Sequence, residues 1–451
     1  MSTPVKNIIY IVAHDLGREL GAYGSDFDTP HFDRFAREGV LFREAYCVSP
    51  CCSPSRGCAM TGMTAHSNGL TGLANPGWQW SLPESTRTIV DDLNDHGFET
   101  VHAGLQHERQ QREANRYQIN LPGESWVETA VDSAIDYLLQ RRKDQKDERP
   151  FYLNLGTNEV HSGQWQTYKH DRDHTRGEDL YGIDNPDTLN LPDYLPDLPQ
   201  VRREWGAFKG CVRYWDKQIG RLLECIRELD YDKDTLVVVT TDHGVLTHRG
   251  KGTVYKEGVE TALAMQLPRG MASGVQFDEI LGNTDLLPTL LEAVGVQVRP
   301  EVQGQSCWPL LVGEDFQQRE HLCIERNFHD DWDPMRSIRT KDFVLIENFL
   351  DSGLYCFTPD QVTEVKDRYH NWFIEMWPEN PQLRPRLEFF DRRSDPGEFS
   401  NVADDPRYTD TVNSLRAELH RWMRETDDPL LATANPDSFQ AMVDRRFSAN
   451  S

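Results

Sequence analysis

Three short polar clusters carry the residue types that a divalent cation takes as ligands. His14-Asp15 follows the apolar run Lys6 to Val12, Asn158-Glu159-Val160-His161 follows Phe151 to Gly156, and Asp242-His243 follows a segment containing Leu236-Val237-Val238-Val239. Carboxylate oxygens and imidazole nitrogens bind such ions, and clusters at the carboxyl ends of buried strands converge on one edge of an α/β sheet. Asp15 taken alone would serve equally as a helix cap. Asp242-His243, behind its run of apolar residues, reads better as part of a site. A fourth segment contains Cys52-Ser53-Pro54-Ser55-Arg56. Its thiol and guanidinium stand one helical turn apart if a helix begins there, so both can face one site. Cys51, Cys52 and Cys58 lack the two-pair spacing of a zinc ribbon. Cys47 and Cys58 suit a buried, purely packing role.

These clusters need elements to hold them. Lys6 to Val12 is short, β-branched and continuously apolar, the pattern of a strand buried on both faces. Further strands are predicted over Val40 to Tyr46, Glu99 to Ala103, Pro150 to Gly156 and Asp234 to Thr241. Helices are predicted over His31 to Glu38, opened by Thr29-Pro30 and closed by Gly39, and over Thr88 to His96, Trp126 to Arg142, Val212 to Leu229 and Asp285 to Val294. Ser162 to Gln200 lacks periodicity and reads as a long surface loop, of a length that suggests function. This alternation predicts an α/β catalytic domain over 1–330, a large mixed, mostly parallel sheet flanked by helices. Ser337 to Asn348 and Arg386 to Asp391 then read as antiparallel strands. Asp410 to Thr426 reads as a helix with Leu415, Leu419 and Trp422 on one face, giving a small α+β domain over 331–451.

The chain has 451 residues, with 73 Asp and Glu against 48 Lys and Arg, a formal net charge of -25. That sign disfavours nucleic acid and anionic membranes as partners, so an anionic substrate must meet a locally positive site. No stretch approaches the ~18 consecutive apolar residues of a membrane helix. The first residues lack an h-region with a small-residue cleavage site, so a cytoplasmic location is expected. Nine cysteines, an odd number in a long chain, argue against a disulfide scaffold.

With the Cys52 motif running into Met60-Thr61-Gly62, the chain resembles the sulfatases of the alkaline phosphatase superfamily. The resemblance takes in His14-Asp15-Leu16-Gly17, Gly104 with His107, Thr241-Asp242-His243-Gly244, Gly250-Lys251-Gly252 and Asp395-Pro396-Gly397-Glu398. His66 to Leu70, Pro334 to Ser337 and Glu425 to Pro429 look most like the heparan N-sulfatase (sulfamidase) branch. The resemblance implies an alkaline phosphatase-like fold and a sulfuric ester hydrolase acting on a small sulfated sugar or similar organic sulfate, O-linked or N-linked. It implies that a formylglycine-generating enzyme oxidises Cys52, and that a metal-bound hydroxyl of the hydrated aldehyde attacks sulfur. The second hydroxyl then expels sulfate, a release that plain Ser or Cys could not perform. By the same resemblance, His14, Asp15, Cys52, Asp242 and His243 hold one divalent ion. Arg56 secures residue 52, His107 hydrogen-bonds the gem-diol, His161 binds sulfate or protonates the leaving group, and Lys251 contacts the sulfate.

The chain departs from the family pattern twice. His14 stands where sulfatases usually have Asp, and Leu105 stands two residues before His107 where they have Lys. The ligand set becomes richer in nitrogen, which favours Mn²⁺ or Zn²⁺ over the Ca²⁺ usual in the family. The altered cations also keep two alternatives open: hydrolysis of phosphodiesters or phosphonate monoesters by the same machinery, or an inactive protein that binds sulfated ligands. Trp78 and Trp80 suit either a sugar subsite or the core.

Overall fold

Every residue of the strand β1 (Asn7–Ala13) is buried, as its unbroken apolar pattern requires of a strand covered on both faces. Ile9, Ile11 and Ala13 face one core, and Ile8, Tyr10 and Val12 face the other. The computed structural model describes residues 5–74, 80–144, 148–161, 180–195, 197–247, 249–329, 332–350 and 384–432. Within it, β1 pairs in parallel with β5 (Phe151–Gly156) and with β6 (Thr235–Thr241). Five more strands complete an eight-stranded sheet in the order β4-β3-β5-β1-β6-β7-β2-β8. They are β2 (Val40–Tyr46), β3 (Glu99–Gly104), β4 (Ile119–Asn120), β7 (Leu263–Gln266) and β8 (Val275–Gly282). β7 runs antiparallel to both β6 and β2, so β2 points the same way as β1. β1, β2, β3, β5 and β6 therefore all end on one edge, where open α/β sheets bind ligands.

Helices α1 (Pro30–Glu38), α5 (Val127–Lys143) and α6 (Pro199–Glu228) cover one face. α2 (Cys52–Thr61), α4 (Ile89–Asp95) and Leu286–Ala293 cover the other, and α3 (Ala65–Asn68) follows α2 directly. α6 begins well before the expected Val212. Gly206 and Gly210 weaken the helical signal there, and packing explains them. A Cβ on Gly210 would lie 2.0 Å from the carbonyl oxygen of Gly182, and one on Gly206 2.6 Å from that of Asp184. Bare helix backbone thus seats the incoming segment. Of the expected loop, residues 162–179 lie outside the described residues, while Tyr181, Leu189 and Leu195 are buried in the core. Among the described residues no disulfide forms, and no helix is long and apolar enough to cross a membrane.

A second, four-stranded antiparallel sheet has the order β12-β11-β10-β9. Its strands are β9 (Leu322–Phe328), β10 (Trp332–Arg339), β11 (Phe343–Asn348) and β12 (Leu387–Asp391). The span Ser337 to Asn348 holds the end of β10, a turn and β11, and β9 starts ahead of the division expected at residue 330. The helix Thr409–Glu425 buries Val412, Leu419 and Met423, with Leu415 and Trp422 partly buried against the same cluster.

A buried charge cluster ties α3 to the second sheet. His66 Nδ1 lies 3.0 Å from Glu325 Oε1, and Arg336 forks onto Asp428 at 2.5 and 3.0 Å. Burial would raise the Glu325 carboxyl, yet His66, Arg336 and Asn327 hold it down to about 2. Burial would lower His66, yet Glu325 and Asp428 keep it raised. The stabilisation from Glu325 is complete above its ordinary value of 4.5 and lost as pH falls towards about 2. That from His66 is complete below 6.5 and lost as pH rises through its raised value. His66→Gln is therefore expected to cost on the order of 2 kcal/mol between those two ordinary values. Thermal melts across pH should show the gap from the parent protein narrowing on the alkaline side; a gap that widens there would contradict the assignment.

Candidate active site

The loops leaving β1, β5 and β6 are stitched together by backbone hydrogen bonds. His14 N donates to Glu159 O (3.3 Å), Val160 N to His14 O (2.9 Å), Asp242 N to Ala13 O (3.1 Å) and Gly17 N to His243 O (2.9 Å). Asp15 takes a left-handed conformation, φ 55°, which Asp tolerates better than most side chains. Its amide donates to Asp242 Oδ1 at 3.0 Å, so the two carboxylates share one corner. Glu159 turns away from it, accepting from Val127 N at 2.7 Å and from the Tyr181 hydroxyl at 3.0 Å.

Cys52 is the first residue of α2, all of whose side chains are buried, behind an extended Cys51 (φ -137°, ψ 146°). The free amides of a first helical turn place partial positive charge at this point. The helix is anchored on several sides. Ser55 Oγ donates to the Asp242 carbonyl, and Asn283 Nδ2 donates to both Ser55 oxygens at 2.9 Å. Gly252 N bonds Pro50 O at 2.8 Å, which ties the Lys251 loop to the helix entry. Arg56 Nε donates to Asp242 Oδ2 at 3.1 Å. The close approach needs Gly156, where a Cβ would sit 2.0 Å from Leu105 O and 3.2 Å from Arg56 Nη1.

The expected residues meet around this corner. His14 Nδ1 lies 2.5 Å from Asp15 Oδ1 and 3.7 Å from Asp242 Oδ2. His243 Nε2 lies 3.4 Å from both Asp15 Oδ1 and Cys52 Sγ. His243 Nδ1 stands 2.9 Å from the Gly244 carbonyl, which can only accept. Nδ1 therefore donates there, and Nε2 is the ring nitrogen that faces the corner, the orientation a metal-ligating imidazole takes. Lys251 Nζ donates to both Asp15 oxygens at 2.9 Å. His161 Nε2 is 3.9 Å from Asp15 Oδ2, and 36% of its side chain is exposed. The His14 ring is 4.7 Å from that of His161 and 5.9 Å from that of His107, and His107 hydrogen-bonds Cys52. One donor atom each from His14, Asp15, Asp242 and His243 fall within 4.8 Å of one another, as do those of His14, Asp15, Cys52 and His161.

Charge balance follows from this packing. Burial would raise the Cys52 thiol, yet Lys251, His14 and His243 hold it well below the usual range. Burial would likewise raise Asp15, and Lys251 and His14 hold it down. His14 is pushed up to about 10 against burial, by Asp242, Cys52 and Asp15. The corner thus holds anionic groups under a cationic cover, with Lys251 on Asp15. Leu105 contributes only backbone here, its amide bonding Gly156 O at 2.8 Å. Trp80 is buried among Leu70, Ala74 and Leu82. Trp78 lies outside the described residues. Asn283 carries no mark in the sequence, because no spacing points to a lone amide that braces a helix from a distant loop.

Residues 6–296 match the family profile described as Sulfatase, and residues 242–372 match that of the N-sulphoglucosamine sulphohydrolase C-terminal region. The chain is 27% identical over 469 residues to the N-sulphoglucosamine sulphohydrolase of Homo sapiens, covering 94% of this chain and 91% of that protein. It is 24% identical over 477 residues to an ulvan-active sulfatase of Formosa agariphila, covering 94% and 75%. A solved structure in complex with its substrate, D-glucosamine-2-N,6-O-disulfate, superposes with a TM-score of 0.70 at 18% identity, covering 94% of this chain and 98% of that one.

Proposed function

The chain belongs to the sulfatase family, and from that premise we propose that residue 52, converted from cysteine to formylglycine, hydrolyses sulfate esters or sulfamates of a small sulfated sugar. The observation that carries this reading is the place of Cys52: the first residue of a buried helix, 3.4 Å from Nε2 of His243 and within the donor cluster of His14, Asp15 and His161. The sugar is suggested by the human relative's name and by the sulfated glucosamine in the structural neighbour. The nitrogen-rich donor set fits one divalent ion, Mn²⁺ or Zn²⁺ before Ca²⁺. Such an ion would supply positive charge against the sulfate oxygens and acidify the attacking hydroxyl. Hydrated formylglycine supplies two hydroxyls on one carbon, one to attack sulfur and one whose deprotonation expels sulfate. Its maturation calls for a formylglycine-generating enzyme.

The chain's own groups then divide the work. Asp15, Asp242, His243 and His14 would hold the ion, and Arg56 fixes Asp242 by a buried bond. His107 orients residue 52. Lys251, now paired with Asp15, would place its charge beside the sulfate. Burial and the neighbouring cations Lys251 and His14 push His161 below the ordinary imidazole range, against the pull of Asp15. Standing neutral at the solvent side, it would hydrogen-bond the sulfate rather than begin as the proton donor to the leaving group. Lys251→Ala is expected to lower kcat by about 10²–10³, the usual loss for a charge-stabilising donor. Unchanged steady-state turnover in that variant would remove Lys251 from the mechanism.

A second reading rests on Leu105, which leaves the site one lysine short of the family pattern. The same machinery would then prefer phosphodiesters or phosphonate monoesters. Parallel assays of aryl sulfate and aryl phosphodiester with added Mn²⁺ decide between them, and a sulfate preference is expected.

A further inference from the structure

His66 to Leu70, Pro334 to Ser337 and Glu425 to Pro429 are distant in sequence and supply none of the groups in the catalytic corner. Three of their residues meet in the charge cluster that ties α3 to the second sheet. His66 bonds Glu325 through its ring and, at 3.1 Å, through its amide. Asn327 Nδ2 donates to Glu325 Oε2 at 2.6 Å, and Arg336 Nη2 donates to Asn327 Oδ1 at 2.9 Å. The Arg336–Asp428 fork closes the circuit. The side chains of His66, Glu325, Arg336 and Asp428 are at most 1% exposed. Apolar packing of equal volume stabilises at least as well as buried charges. What these bonds add is direction, above all through the two-point guanidinium fork.

The direction is transmitted towards residue 52. α3 carries His66 and runs into residues 69–74. Within that stretch, Thr71 O accepts from Phe328 N at 3.3 Å, and Ala74 N donates to Ser53 Oγ at 2.8 Å. Ser53 is the neighbour of Cys52. One side of the stretch is therefore pinned to the end of β9, beside Glu325 and Asn327. The other side is pinned to the residue following the nucleophile.

We infer that the His66–Glu325–Arg336–Asp428 cluster is a positioning device that holds residues 69–74 against Ser53 and so sets how the substrate sits beside residue 52, without entering the chemistry. The inference rests on the proposed function of the same site. His66→Gln and Asp428→Asn, two variants that keep a polar side chain of similar size, test it through two measurements. The first is steady-state turnover of glucosamine N-sulfate. KM should rise about tenfold with kcat nearly unchanged, the mark of weakened substrate seating with the chemistry intact. A merely structural cluster would lower the folded fraction and apparent kcat with KM unmoved, which overturns the inference. The second is amide hydrogen exchange, which needs no substrate. The Ala74 and Phe328 amides should exchange about tenfold faster in the variants while those of β1 keep their protection. Unchanged exchange at Ala74 overturns the inference, whereas a parent enzyme inactive on every sulfate refutes the proposed function alone.

Discussion

Replacing Cys52 with Ala is expected to lower sulfate hydrolysis by at least about 10⁴-fold while leaving the protein folded. The first half follows from the chemistry: Ala has no group that can attack sulfur, and the surrounding cations can only bind the anion. The second half follows from packing. Cys52 is 2% exposed, but its loss leaves Lys251 on Asp15 at 2.9 Å and His243 on Gly244, so no buried charge is stranded. The thermal midpoint should shift by no more than about 1–2 kcal/mol implies, the cost of a small cavity. Cys52→Ser makes the companion case. A serine hydroxyl can take up sulfate but has no second hydroxyl to expel it, so the variant should stop after one equivalent. Sustained multiple turnover by either variant would show that residue 52 is not the nucleophile.

Asp242→Ala should be the single change most damaging to stability, with a large loss of activity beside it. Asp242 accepts from the Asp15 amide, from the His243 amide at 2.9 Å and from Arg56. Truncation strands Arg56, which is 4% exposed, and removes a member of the candidate ligand set. Stranding a buried charge costs roughly 3–5 kcal/mol, and turnover should fall at least about 10³-fold. The two effects separate by melting with and without Mn²⁺. The parent protein should gain stability with added metal and lose it to a chelator, because a ligand that binds only the folded state stabilises it. The variant should show no such dependence. A metal response equal to the parent's would place the ion elsewhere.

Much of this was legible because buried parallel strands write themselves as apolar runs. β1 and β6 carry that pattern, and the polar residues that end them fall on one sheet edge by topology alone. α6 was legible only in its second half, since Gly206 and Gly210 are chosen for contact with residues 182–184 rather than for helix propensity. β9 escaped notice for a different reason. Its Glu325, Arg326 and Asn327 are all buried, and the partners that make this tolerable for Glu325 and Asn327 come from α3 and β10. The pairing of site residues was equally hidden. Spacing puts Arg56 beside residue 52, but only the packed structure joins it to Asp242, or Lys251 to Asp15.

The central claim concerns the side chain at position 52 in the working enzyme. Mass spectrometry of the peptide spanning Ser49 to Cys58, on protein made with and without a formylglycine-generating enzyme, addresses it directly. Aldehyde at residue 52 should appear only with that enzyme, and its fraction should track sulfate turnover in proportion across preparations. Full turnover from protein whose residue 52 is entirely cysteine would contradict the account.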